Sequence, residues 1–233
     1  MSRDRSGIVP TIVLFATCFL ALSAGAQESR HDPSMAPATR PRRYVAVFLY
    51  PHAIMFDYAP AAELFRVAGH AQAFSVYTVG TSTAPIPAMF PQTVTPQYDF
   101  EHAPHPTVVV IPGGMSDEAV ADPHVATWLK QVQARGAILF SVCTGAFVLA
   151  DLGLLDGHAA TTNHAEVATL RKKAPKARVV SDRDYVDEGN LVTSAGAATG
   201  IDATLHLIQR LVGKDDAEYL AHVYLDYKSW RPD

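Results

Sequence analysis

Cysteine is nearly absent from this chain: Cys18 and Cys143 are the two in 233 residues. A scaffold stapled by several disulfides is therefore excluded. Positive charge is also in short supply, with 19 Lys and Arg against 23 Asp and Glu and a formal net charge of −4, so nothing points to a nucleic-acid partner. No hydrophobic run outside the first residues is long enough to enter a membrane, and the run from Ile8 to Leu22 is short for a span. Neither an internal repeat nor a second domain is evident.

What is present begins with a secretory pattern. Arg3 and Arg5 form a charged start, Ile8 to Leu22 an apolar centre, and Ala24-Gly25-Ala26 an A-x-A cleavage site. Residues 1–26 are read as a signal peptide, giving a periplasmic or secreted protein without stable membrane association after cleavage. The competing reading is an uncleaved anchor. Residues 27–43, with Pro33, Pro37 and Pro41, read as a disordered tether, and 44–233 as one domain. Cleavage would remove Arg3, Arg5 and Asp4, taking the net charge to about −5, and would leave Cys143 as the lone thiol among 207 residues. Such a thiol is either buried or reactive.

Apolar runs alternating with helical spacing predict an α/β fold around a mostly parallel sheet. Strands are expected at 44–50, 73–79, 107–111, 137–142, 159–162, 178–180, 184–186 and 191–193, and extended pieces and turns in the proline-rich stretch 81–98. Helices are expected from near Pro60 to Ala71, over 122–135 with Asp122 as cap, over 146–155 and 166–173, along the face Ile201, Leu205, Ile208 and Val212, and over 216–227. In the last of these, Leu220, Val223, Tyr224 and Tyr227 are assigned to the core, with a dimer contact as the alternative.

Between the strand ending at Val142 and the helix beginning at Ala146 there is no room for a loop, so Cys143 must occupy a sharp corner. Gly145 keeps that corner free of a Cβ clash. Free N–H groups at the helix start favour a thiolate, which predicts an unusually acidic cysteine, and the Thr144 N–H is directed at charge developing beside the sulfur. A buried, inert cysteine is the alternative. Ligand sites in such sheets lie off the carboxyl ends of the strands, where Tyr50 to Asp57 and Pro112-Gly113-Gly114 also arrive, and the paired glycines allow close backbone approach and a second N–H from Gly114. The small-residue stretch with Ser194, Gly196 and Ala197 opens a helix whose N–H groups could face an anion. Asp99, Glu101, His102 and His105 lack zinc-like spacing, and no metal is assigned.

The segments IPGG (111–114), SVCTGAFVLADLGLLDG (141–157), ATT (160–162) and YVDEGNLVTSAGAATGID (185–202) resemble the ThiJ/PfpI superfamily. Its SVCTG form is closest to isonitrile hydratases and to the ligand-sensing domains of AraC-type regulators. The resemblance implies a three-layer, flavodoxin-like sandwich of the class I glutamine amidotransferase kind, with a nucleophile elbow. It also implies an acid against the thiol, which LYPHAIMFDYAPAAELF (49–65) supplies as Asp57, with Glu63 in reserve. Such an acid is useful when protonated, donating to sulfur or relaying a proton.

Two departures stand out: Thr144 replaces the His of peptidase-like members, and Asn163 replaces the usual His, with His164 following it. The resemblance places Gly113, Asn163, His164, Gly196 and Ala197 on the substrate pocket and gives catalytic roles to Cys143, Asp57, Thr144 and Gly114. It implies a homodimer and no cofactor. Two functions are weighed: an exported cysteine-dependent hydratase or lyase that converts an isonitrile to a formamide, or a small-molecule-binding or redox-sensing domain without turnover. Glyoxalase, deglycase and protease readings rank below these because the expected His is missing. As no helix-turn-helix segment follows, a transcription factor is not expected.

Overall fold

A computed structural model describes residues 43–232; the expected signal peptide and all but the last residue of the expected tether lie outside them. The elements are β1 (Arg43–Phe48), α1 (Met55–Ala71), β2 (Phe74–Gly80), β3 (Ile86–Pro87), β4 (Thr93–Val94), β5 (Tyr98–Asp99), β6 (Val108–Ile111), α2 (Ser116–Val120) and α3 (Pro123–Ala134). There follow β7 (Ile138–Val142), α4 (Gly145–Asp151), β8 (Ala159–Ala160), α5 (Val167–Lys173), β9 (Arg178–Val179), β10 (Tyr185–Asp187), β11 (Leu191–Ser194), α6 (Ala197–Leu211) and α7 (Lys214–Tyr219). Arg43, assigned to the tether, thus opens the first strand.

Seven strands form one sheet in the order β10-β11-β7-β6-β1-β2-β5. All pairings in it are parallel except β10 with β11. The central strands β6 and β7 are buried at every position, as apolar runs covered on both faces should be. Alternation along the strands sorts the core into two layers. Ala46, Phe48, Val109, Ile111 and Leu139 face α3 and α4 through Leu129, Phe147 and Val148. Val45, Val47, Val108, Val110 and Phe140 face α1 and α6 through Leu64, Phe65, Leu205 and Ile208. The result is an α/β sandwich of helix, sheet and helix, as expected. From β1 the chain passes to β2 on one side and returns through β6 on the other, so the direction reverses at the β1/β6 boundary, where a ligand crevice belongs.

Four helical segments depart from expectation. α1 begins at Met55, not near Pro60, and accommodates Pro60 inside it. Its start is set by tertiary contacts: Ala53 bridges Gly114 and the Ile54 N–H donates to Gly113 O at 2.8 Å. α4 ends at Asp151, short of Leu155, and the short α2 has no counterpart in the sequence reading. The expected helix 216–227 is α7 followed by a π-helical turn, Leu220–Tyr224, closed by Leu225 N–H to Leu220 O at 2.9 Å. The wider turn separates residues that α-helical spacing would align. Leu220 is buried, but Val223 and Tyr224 are 66% and 46% exposed, so their assignment to the core is corrected.

Candidate active site

Cys143 stands between β7 and α4 with φ at 58°, a left-handed conformation rare for a non-glycine residue and characteristic of a strained functional corner. The corner is held from both sides: the Cys143 N–H donates to Ser194 O at 3.1 Å, and its carbonyl accepts from Thr162 Oγ1 at 2.9 Å. Gly145 is obligatory, because a Cβ there would lie 2.1 Å from Ile111 O.

Asp57, in the first turn of α1, is 4% exposed, and its Oδ2 accepts the Gly113 N–H at 2.9 Å. Burial pushes its carboxyl up to about 6, against the opposing effect of the hydrogen bonds from Gly113 and with the Cys143 thiol. Gly113 is glycine for a plain reason: a Cβ would sit 2.6 Å from both Asp57 Oδ2 and Thr144 Oγ1. Its amide therefore seats the catalytic acid candidate.

The thiol is not acidified as expected. Burial, followed by the Asp57 charge, pushes Cys143 up, while the Thr144 N–H, the Asn163 amide and the Thr144 hydroxyl pull the other way. The expectation gave too much weight to a helix of seven residues and too little to the burial of the thiol and then to the carboxyl beside it. A single negative charge shared by this pair resides mainly on Asp57, with the thiol as its hydrogen-bond donor.

Asn163 Nδ2 donates to Cys143 Sγ at 3.6 Å, while its Oδ1 accepts the Ala165 N–H at 3.0 Å. The second bond fixes which end of the amide meets sulfur. His164 is exposed on the following 3-10 turn, so the residue brought to sulfur is Asn163. Thr144 Oγ1 accepts the Gly114 N–H at 3.2 Å, so that amide already has a partner in this arrangement. The Gly196 N–H donates to Thr199 Oγ1 at 2.8 Å as α6 begins at Ala197, and it is therefore not the free donor expected. Glu63 is removed from the site: it lies on the surface, held by Arg66 at 2.6 Å and by the Tyr224 hydroxyl at 2.6 Å.

One neighbour, expected at this edge only as the start of the segment Tyr50 to Asp57, is given no role by the sequence. Tyr50 is buried, donates its hydroxyl to Pro112 O at 2.8 Å, and is pushed up by burial and then by the charges of Asp57 and Cys143. Its place at the end of a buried strand, seven residues before Asp57, was the available signal. The grouped histidines have a local explanation: Asp99 Oδ1 accepts from the Glu101 and His102 N–H groups and contacts His102 Nδ1 at 2.7 Å, forming a turn.

A thiol on a positive-φ elbow, at the carboxyl edge of a mostly parallel sheet and beside a buried carboxyl, defines the class of cysteine-elbow α/β sandwiches. Within that class the chain belongs to the DJ-1/PfpI family, whose profile matches residues 43–210. It is 35% identical over 161 residues to isonitrile hydratase of Pseudomonas putida, covering 65% of each chain. It is 26% identical over 199 residues to the HTH-type transcriptional regulator GbdR of Pseudomonas aeruginosa, covering 84% of this chain and 54% of that one. It thus spans less than two thirds of the length of either relative. Among solved structures, a ThiJ/PfpI family protein from Pseudomonas syringae superposes with a TM-score of 0.72 at 24% identity, covering 91% of this chain and 86% of that one. Drosophila melanogaster DJ-1beta superposes with a TM-score of 0.70 at 24% identity, covering 79% and 98%.

Proposed function

We propose that the protein is an exported, cysteine-dependent hydratase that converts a small isonitrile to the N-substituted formamide. The observation that supports this most directly is the Asp57 carboxyl seated by Gly113 beside the Cys143 thiol. In the resting dyad Asp57 is the base and the thiol keeps its proton. As sulfur adds to the isonitrile carbon, Asp57 takes the thiol proton and delivers it to that same carbon, giving a thioimidate. The Asn163 amide and the Thr144 N–H stabilise the sulfur while it carries charge. Water then adds to the thioimidate carbon, and collapse expels the thiol and leaves R–NH–CHO. The sum is isonitrile plus water, so no redox partner is required.

The test is turnover of an alkyl isonitrile followed by formamide production, with intact-protein mass spectrometry to find the Cys143 adduct. Cys143→Ala should lose both signals; unchanged turnover in that variant would exclude the mechanism. The N-terminal pattern supports export, which the mass of the mature protein after expression with its leader would check.

A second reading, a small-molecule-binding or redox-sensing domain without turnover, is favoured by the likeness to a regulator over 84% of the chain and by the upward-shifted thiol. Ligand-induced thermal stabilisation with no product from isonitriles, amides or glyoxals would select it. We also propose a homodimer with the elbow near its interface, since Phe56 and Met115, 61% and 50% exposed, adjoin Asp57 and Gly114 in the chain.

A further inference from the structure

A cavity of about 350 Å³ opens where β1 and β2 end and their chains diverge, and Cys143 is not among its lining residues. Its volume is in the range of small-ligand sites. The apolar part of its wall includes Phe48, Tyr50, Ile86 and Val125, and the Thr81 and Ser82 residues border it. Its charged lining is of one sign: Glu118 and Asp122, with no Lys or Arg. Glu118 faces His52 Nδ1 at 3.0 Å, and Asp122 Oδ1 takes both the His124 N–H at 2.9 Å and its Nδ1 at 2.7 Å. Both carboxylates therefore lean on imidazoles. Tyr50 is the shared wall, with one face on this cavity and its hydroxyl on Pro112 O beside the Asp57 seat.

We propose that this cavity is a second small-molecule site, taking an organic cation with an ammonium group on a compact apolar body. The carboxylates receive the ammonium and the aromatic and aliphatic wall receives the body. The site does not use Cys143, so it stands or falls independently of the hydratase chemistry.

Calorimetric titration of the intact protein at about pH 8 tests it, using phenethylammonium, neutral 2-phenylethanol and anionic 3-phenylpropionate as probes. The cation should bind roughly tenfold more tightly than the alcohol, the size of one charge-assisted hydrogen bond, and the anion should not bind. Glu118→Gln with Asp122→Asn, which keeps a side-chain oxygen for the α3 cap, should reduce the cation to the affinity of the alcohol. Alkylating Cys143 with iodoacetamide should leave cation binding unchanged. Equal binding of the three probes to the unmodified protein, no cation binding at millimolar concentration, indifference to the double variant, or loss on alkylation would each overturn the proposal.

Discussion

Asp57, 4% exposed and titrating near about 6, gives two opposite pH effects from one carboxyl. For turnover the carboxylate must be free to take the thiol proton, so kcat/KM for an isonitrile should rise with pH through a midpoint near about 6, and Asp57→Asn should lose that limb together with most of the rate. For stability the sign reverses. A folded value raised from 3.8 to about 6 means the folded state holds the proton that the unfolded state has released, so stability is fully present below the unfolded value and declines as pH climbs through about 6. The loss amounts to at most about 3 kcal/mol, and Asp57→Asn should flatten the urea-denaturation profile across that window. Asn163 offers a finer test. Removing its amide in Asn163→Ala takes a donor from the sulfur, so the thiol should move further up and iodoacetamide alkylation at fixed pH should slow by roughly threefold to tenfold.

The element that matters most is the turn from β7 into α4, together with the glycine pair that follows β6. Gly145→Ala would drive a methyl group into the Ile111 carbonyl, a backbone atom that cannot yield. The expected cost is about 3 kcal/mol, read as a lower denaturation midpoint. Gly113→Ala meets the side-chain oxygens of Asp57 and Thr144 most closely, with the Thr144 backbone N at 3.1 Å, a milder backbone conflict than at Gly145. It should therefore unseat the carboxylate from an amide that holds its value down, so that kcat/KM falls and its pH midpoint moves further up. A variant with full activity and an unmoved pH profile would show that Gly113 does not seat Asp57.

At the level of the whole molecule, the exposed apolar side chains Phe56 and Met115 are next in the chain to Asp57 and Gly114. If Phe56 and Met115 are covered in a homodimer, Phe56→Glu with Met115→Glu should shift the mass measured by light scattering from two chains to one. A monomeric parent protein would contradict the dimer directly.

The alternation of apolar runs determined the sandwich, because β6 and β7 carry their double-sided burial in their own composition. The sharp corner at Cys143 was equally legible, since strand and helix patterns left no residues between them for a loop. The site was legible only as a set of residue types. Which side chain meets sulfur was decided by the 3-10 turn after Asn163, and the start of α1 by the pairing of Ala53 with Gly114, a partner about sixty positions away. The thiol's direction of shift was likewise hidden: it depends first on how deeply Cys143 itself is buried and then on the Asp57 charge beside it, both fixed only when distant segments come together. Local sequence sets periodicity and backbone freedom, whereas desolvation and charge proximity arise between segments far apart in the chain, and those two effects govern the chemistry of this corner.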